Sequence, residues 1–238
     1  MIFDATSSEL RREETLDYLR DNKFDRVLDV GGAAGPWAKE FVTHYLDLVN
    51  IHTLSDVRTP ELYDNMYIHR AESIVGDIVN KDCWDSISRS MPRFDFAICT
   101  QALEHVSNPA VPLLEMPYVA KEGYIGVPSK FTELRKKEHY NSLDKWGGMT
   151  GFMRGFLPHR WLYTIRENVL WAWPKLSVLE HMHFDWIDDV SDEDFNYVEL
   201  SFRWKDFIEF KIVDDTSFGY PDGAPACDFI RKELPIGI

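Results

Sequence analysis

Short apolar runs that alternate with helical patterns organise the first half of the chain. The runs that predict β-strands cover residues 26–30, 50–56, 73–77, 94–100 and 123–128. Apolar residues recur at helical spacing over 9–21, 36–45 and 109–119, and Pro36 suits the first position of the second helix. Strands that alternate with helices in this way predict an α/β fold with a doubly wound, mostly parallel sheet of seven strands.

The second half of the chain has a different pattern. Residues 130–160 are polar and rich in Lys, Gly and Met, which favours an insertion or lid. Apolar runs at 170–173, 198–204 and 207–213 predict antiparallel strands that close one edge of the sheet, the last two joined as a hairpin. We therefore expect a single domain over 1–238, with an N-terminal helical segment at 1–24.

Composition and charge exclude several classes of protein. The 238-residue chain is 45% apolar and 14% aromatic, which is enough for a substantial core. Its net charge of −14 does not attract phosphate backbones, so we expect no nucleic-acid partner. The three cysteines lack metal-type spacing, which favours reduced thiols and a cytoplasmic protein. No apolar run approaches the ~20 residues of a membrane span, and the first residues lack the apolar region of a secretory signal.

The stretch VLDVGGAAGPWA, residues 27–38, predicts a strand that enters a helix through a tight turn. Gly31 and Gly35 allow the backbone to turn and to approach a ligand closely, whereas Ala33 stands where a nucleotide-binding turn often has another glycine. A dinucleotide would place its pyrophosphate on the helix N-terminus. The carboxylate of Asp29 and the missing N–H of Pro36 instead favour a cationic cofactor such as S-adenosylmethionine.

Other candidate binding residues fall at the ends of predicted strands. Parallel sheets bind ligands beyond the carboxyl ends of their strands, where the strand order reverses. Asp56 ends the second predicted strand, Asp77 the third and Thr100 the fourth. We expect these residues to line the cofactor site together with the glycine turn.

These motifs, taken in order, resemble those of class I S-adenosylmethionine-dependent methyltransferases. The resemblance covers about residues 27–129 and includes VLDVGGAAGPW, Asp56, GDI at 76–78 and FDFAICTQALEHVSNP at 94–109. It implies a Rossmann-like methyltransferase fold and S-adenosylmethionine as the cofactor. In that family the glycine turn lies against the methionine part, the acid after strand two holds the ribose hydroxyls, and the GD acid lies near the adenine amine. The resemblance assigns those roles to Asp29, Gly31 and Gly35, to Asp56, and to Asp77.

Two histidines are candidates for catalysis. His105 follows Glu104 in LEHV, which resembles many methyltransferases, including quinone O-methyltransferases. His159 and Arg160 lie in Pro-His-Arg-Trp, which resembles a His-His-Arg-Trp segment of uncharacterised bacterial and viral methyltransferase-like proteins. Either histidine is a candidate base, and Arg160 is suited to orient a carboxylate or a sugar oxygen.

A metal ion is not expected from the sequence. Gln101 stands where some relatives have a Glu that completes an acidic metal site. His181 and His183 share a strand face if that segment is extended, but no third ligand is evident near them.

The sequence therefore predicts an S-adenosylmethionine-dependent methyltransferase that acts on the oxygen of a small molecule or of a sugar unit in a glycan. Two alternatives remain open at this stage. One is a binding protein that keeps the fold without the chemistry, which Ala33, Gln101 and Pro158 favour. The other is a nicotinamide-dependent sugar enzyme, which Pro36 and Ala33 disfavour.

Overall fold

A computed structural model describes residues 8–31, 38, 40–48, 71–134, 158–175 and 199–213. Four helices lie within these residues: α1 Ser8–Asn22, α2 Lys81–Ser90, α3 Ala110–Val119 and α4 Lys130–Leu134. The strands are β1 Val27–Val30, β2 His44–Asp47, β3 Glu72–Val75, β4 Phe94–Thr100, β5 Ala120–Pro128, β6 Trp161–Arg166, β7 Val169–Pro174, β8 Glu199–Lys205 and β9 Phe210–Ile212.

Within the described residues, the main sheet has six strands in the order β3-β2-β1-β4-β5-β8. The first five strands are parallel, and β8 pairs antiparallel with β5 at one edge. The strand order reverses between β1 and β4, so the ends of these two strands mark the point where such sheets bind ligands. The mostly parallel, helix-flanked sheet confirms the predicted fold class.

Apolar side chains cover both faces of this sheet. On β4, Ala97 and Cys99 contribute to one cluster of buried residues, and Phe96 and Ile98 contribute to the other. Buried on both faces, a parallel strand is a continuous apolar run, which is why β4 is recognisable in the sequence. Residues of α2 and α3 belong to the first cluster, and Leu19 of α1 belongs to the second.

The strands after the predicted lid depart from the expectation. β6, β7 and β9 form a separate three-stranded sheet instead of extending the main sheet to seven strands. The predicted hairpin at 198–204 and 207–213 is wrong, because β9 pairs with β7, and only the isolated Lys205–Phe207 bridge joins the two segments. An isolated bridge between Ser129 and Tyr163 connects the second sheet to the end of β5.

The helix predicted over 36–45 is also wrong at its end. His44 and Tyr45 lie in β2, which pairs with β1 and β3. The strand predicted at 50–56 lies outside the described residues, as do residues 135–157 of the predicted lid. Only the two ends of that insertion are described: α4, and the turn that leads into β6.

Candidate functional site

A cleft with a volume of about 380 Å³ lies at the carboxyl ends of the parallel strands, where the strand order reverses. This size is within the range of small-molecule sites in proteins. Its lining comes from the ends of β1 to β4 and from the start of β6: Gly31, Asp47, Leu48, Gly76, Asp77, Ile78, Val79, Gln101, Ala102, His105, Val106, Ser107 and Arg160.

Gly31 begins the turn after β1, and its conformation explains why this position is a glycine. Its φ of +78° lies in the region that residues with side chains avoid. A Cβ at this position would also lie 2.4 Å from the Cβ of Ala102, which follows β4. The turn and the segment after β4 therefore lie closer together than a residue with a side chain at position 31 would permit. Gly35, the other predicted glycine, lies outside the described residues.

Two acidic residues lie at strand ends in the cleft. Asp77 lines the cleft as predicted, and its Oδ1 accepts a hydrogen bond of 3.0 Å from the backbone N–H of Val79. Asp47 ends β2, and its carbonyl accepts a hydrogen bond of 2.8 Å from the N–H of Gly76. Sequence reasoning missed Asp47, because the predicted helix extended to Tyr45 and the next strand was placed at 50–56. Asp56 lies outside the described residues, so its role stays a prediction.

Asp29 and Thr100 are placed differently from the other predicted cofactor residues. Both side chains are buried, Asp29 on β1 and Thr100 at the end of β4. Neither is among the residues that line the cleft, where Gln101 occupies the position after Thr100. Gln101 has a φ of +54° and donates a hydrogen bond of 3.3 Å from Nε2 to Glu199. Glu199, the first residue of β8, also pairs with Arg12, and this ion pair links α1 to β8.

The structure brings the three predicted catalytic residues together at one end of the cleft. His105 and Arg160 line it, and the ring of the buried His159 lies edge-on to that of His105, with 4.4 Å between ring centroids. The sequence separates these histidines by more than 50 residues. The catalytic roles of these three residues stay a prediction.

Three hydrogen bonds hold β6 against the segment after β4. The backbone N–H of Arg160 donates to the carbonyl of Glu104 over 2.7 Å. The indole N–H of Trp161 donates to Val106 over 2.8 Å, and the hydroxyl of Tyr163 donates to Leu103 over 2.9 Å. Because these bonds involve residues close to His105 on one segment and close to His159 on the other, they determine where the two histidines lie relative to each other.

A buried ion-pair network lies behind His159. Nδ1 of His159 is 2.5 Å from Oε1 of Glu133, and Nζ of Lys175 is 3.2 Å from Oε2 of the same carboxylate. The side chains of Glu133 and Lys175 are 0% and 1% exposed. Sequence reasoning missed both residues. The backbone N–H of Glu133 donates a hydrogen bond to the carbonyl of Ser129, just before α4, and this bond helps to position Glu133.

Glu104 is the second carboxylate of this region and has a different environment. It is 0% exposed, and neither of its oxygens has a hydrogen-bond partner among the described residues. Burial raises the pKa of Glu104 to about 8, and the negative charges of Glu133 and Glu199 contribute to the increase. We call Glu104, His105, Glu133, His159 and Lys175 the histidine–carboxylate cluster.

The pKa of His105 is lowered. Desolvation of its ring is the main cause, and positive charge on His159 lowers the pKa further. The charge of Glu133 and a hydrogen bond with the backbone of Pro158 act in the opposite direction. A lowered pKa favours the neutral imidazole, whose free nitrogen accepts a proton or binds a cation.

A doubly wound sheet with a cleft at its switch point defines a protein that binds a nucleotide-like cofactor. A family model described as a methyltransferase domain matches residues 6–127, just over half of the chain. The chain belongs to the class I S-adenosylmethionine-dependent methyltransferases, and S-adenosylmethionine is the methyl donor of this family.

Solved structures of methyltransferases are similar to the chain at low sequence identity. The methyltransferase domain of bacterial CtHen1-C is 14% identical, with 55% of this chain and 71% of that chain covered and a TM-score of 0.36. Magnesium protoporphyrin IX methyltransferase from Synechocystis PCC 6803, solved with bound SAH, is 13% identical, with 65% and 74% covered and a TM-score of 0.32. YjhP from E. coli is 19% identical, with 59% and 57% covered and a TM-score of 0.36. No curated protein sequence matches the chain.

The cleft residues fit S-adenosylmethionine. Gly31 lines the cleft without a side chain, and the carboxylates of Asp47 and Asp77 are acceptors for ribose hydroxyls and for amino groups. The bound cofactor supplies an electrophilic methyl group. Among the described residues, no helix is long and apolar enough to cross a membrane.

We expect Asp47→Ala to weaken the binding of S-adenosylhomocysteine by tenfold or more. The reason is that hydrogen bonds from neutral donors to a carboxylate contribute ~1.5–3 kcal/mol each, and about 1.4 kcal/mol corresponds to tenfold in affinity. Isothermal titration calorimetry of Asp47→Ala beside Asp56→Ala separates the two candidate ribose acids. A loss of affinity in Asp56→Ala with normal binding in Asp47→Ala would assign the ribose to Asp56.

Proposed function

We propose that the protein transfers the methyl group of S-adenosylmethionine to a hydroxyl oxygen of a small acceptor, such as a sugar unit of a glycan. The acceptor binds at the end of the cleft where His105 and Arg160 lie. The observation that carries this proposal is the contact between His105 and the buried His159, since a pair of imidazoles is suited to act on a hydroxyl proton.

Transfer to a hydroxyl has a simple balance of atoms and charge. The O–CH₃ bond forms as the S–CH₃ bond breaks, and the hydroxyl proton is lost, which leaves a methyl ether and S-adenosylhomocysteine. A neutral hydroxyl is a weak nucleophile, so the protein has to favour the loss of its proton and align the oxygen with the methyl carbon. We assign the first task to the two histidines and the second to Arg160.

Arg160 supports a polar acceptor. Its side chain is exposed at the cleft, and no described residue pairs with its guanidinium group. Its backbone is fixed on both sides, because its N–H donates to Glu104 and its carbonyl accepts from Lys175. A guanidinium group that projects from a fixed backbone binds carboxylates and sugar oxygens through several parallel hydrogen bonds.

We expect His105→Ala and His159→Ala to lower turnover about 100-fold while the affinity for S-adenosylhomocysteine stays within about twofold of the wild type. Loss of a group that acts on a proton typically costs 10²–10⁴ in rate. Transfer of labelled methyl groups to a panel of sugars, nucleotide-sugars, short glycans and hydroxy acids measures this effect. Arg160→Ala serves as the comparison, since it should raise the KM for the acceptor more than it lowers kcat.

Two results would overturn the proposal. One is transfer to amine acceptors alone, since these do not carry a hydroxyl proton. The other is wild-type turnover of both histidine variants with a hydroxyl acceptor. Failure to bind S-adenosylhomocysteine would show instead that this chain has lost the cofactor site of its family.

A further inference from the structure

Three side chains of the histidine–carboxylate cluster lie close enough together to bind one metal ion. One carboxylate oxygen of Glu104 and one ring nitrogen each of His105 and His159 all lie within 4.8 Å of one another. We propose that these three residues bind a divalent transition-metal ion at the acceptor end of the cleft. The sequence alone predicts no metal, because Gln101 replaces a glutamate and the pair at 181 and 183 lacks a third ligand. Only the structure shows the contact between β6 and the segment after β4 that brings His159 to His105.

The environment of Glu104 points to a missing cation. Its carboxylate is completely buried, and within the part of the chain that the structure describes neither oxygen has a hydrogen-bond partner. Buried carboxylates in proteins are normally hydrogen-bonded, paired with a cation or bound to a metal. The two buried carboxylates of the cluster, Glu104 and Glu133, are accompanied by one buried ammonium group, that of Lys175. A bound ion would favour the ionised form of Glu104 and compensate the negative charge of its carboxylate.

The orientation of His159 is the one that metal-bound histidines adopt. Its Nδ1 is in contact with Glu133, so an ion would bind at Nε2 on the opposite side of the ring. Histidine ligands commonly donate their other N–H to a carboxylate, which fixes the ring and increases its basicity. The ammonium group of Lys175 donates a hydrogen bond to the second oxygen of Glu133, and this bond fixes the orientation of the carboxylate.

His105 provides access from solvent. It is exposed at the cleft, whereas Glu104 and His159 are buried behind it. Zinc binds imidazole nitrogen and carboxylate oxygen at ~2.0–2.2 Å, so binding requires the ring of His105 to move toward the other two ligands. Three protein ligands leave a coordination position open toward the cleft.

The donor set selects the type of ion. Two imidazoles and one carboxylate suit Zn²⁺, Mn²⁺ or Fe²⁺, whereas Mg²⁺ and Ca²⁺ prefer sites made of oxygen atoms alone. An ion at this position would lower the pKa of an acceptor hydroxyl that binds to it. This catalytic consequence rests on the proposed O-methylation, but ion binding itself does not.

Calorimetric titration of the EDTA-treated full chain with ZnCl₂, MnCl₂ and MgCl₂ tests the site. We expect one Zn²⁺ per chain, with Mg²⁺ bound at least 100-fold more weakly. Glu104→Gln and His105→Ala should each weaken Zn²⁺ binding about 100-fold, and Glu133→Gln should weaken it ~10–100-fold through the orientation of His159. His181→Ala is the matched control, because it removes a histidine from outside the cluster, and it should bind Zn²⁺ as the wild type does.

Two outcomes would overturn the site. The first is absence of Zn²⁺ and Mn²⁺ binding at millimolar concentration. The second is stoichiometric binding that survives both Glu104→Gln and His105→Ala, above all if His181→Ala abolishes it. Binding of S-adenosylhomocysteine in EDTA checks that each variant is folded. Since the titration needs neither an acceptor nor turnover, its result stays separate from that of the proposed O-methylation.

Discussion

Replacement of Glu133 by Gln should destabilise the protein by ~3 kcal/mol or more. Glu133 is completely buried and contacts both the ring of His159 and the ammonium group of the buried Lys175. Removal of one charge from a buried pair leaves the other charge in a medium of low dielectric constant, and this typically costs ~3–5 kcal/mol. The Glu133→Gln substitution keeps the size of the side chain, so the loss reports the charge and not a cavity.

Urea unfolding followed by tryptophan fluorescence measures this effect. The matched control is the double variant Glu133→Gln with Lys175→Met, which removes both charges and should recover a large part of the lost stability. Equal midpoints for Glu133→Gln and the wild type would show that the ion pair contributes nothing to stability. A double variant no more stable than Glu133→Gln would show that the buried ammonium group is not the source of the cost.

Strand β4, which is buried on both faces, could be predicted from the sequence, whereas strand β2 could not. The sequence predicts the run at 94–100 with its correct bounds, because six of its seven residues are apolar or β-prone. The four residues of β2 offer too short a pattern, and they follow a helical pattern without a glycine or proline between them. The ribose acid was therefore sought at Asp56, while Asp47 lies at the end of the described strand.

The candidate site was predictable only as separate pieces. His105 and His159 each stand in a recognisable motif, but their contact depends on hydrogen bonds from β6 to the segment after β4. Glu133 lies 26 positions before His159, and Lys175 lies 42 positions after Glu133. No local sequence pattern relates residues that are so far apart along the chain. The residues next to a lysine in the sequence do not show whether its side chain is buried.

The separate sheet of β6, β7 and β9 has a function in this arrangement that an extended main sheet would not provide. A seventh strand in the main sheet would continue away from the switch point, since β8 already occupies that edge. As a separate layer, the second sheet instead contacts the segment after β4 and brings His159, Arg160 and Lys175 to the cleft. His159, Arg160 and Lys175 thus come from the part of the chain beyond the family match at 6–127.

The stability of the ion-free protein should fall between about pH 4.5 and pH 8 because of Glu104. Burial raises the pKa of this carboxyl group from 4.5 to about 8 in the folded state, so folding favours the protonated form. Below pH 4.5 the group is protonated in both states, and its contribution to stability is complete. As the pH rises toward 8, the unfolded chain releases the proton first, and the contribution is lost. The total is on the order of 5 kcal/mol, because one pKa unit corresponds to about 1.4 kcal/mol.

Glu104→Gln isolates this effect, since the amide does not titrate. The titratable groups that interact with Glu104 (Glu133, Glu199, Tyr163 and Cys99, together with the two histidines of the cluster) remain in the variant and largely cancel in the comparison. In EDTA, the difference in unfolding free energy between the variant and the wild type should grow in favour of Gln from pH 5 to pH 8. A difference that stays constant over this range would show that Glu104 has an ordinary pKa. Zn²⁺ should stabilise the wild type most at pH 8, where the carboxylate is ionised, and it should have a much smaller effect on Glu104→Gln.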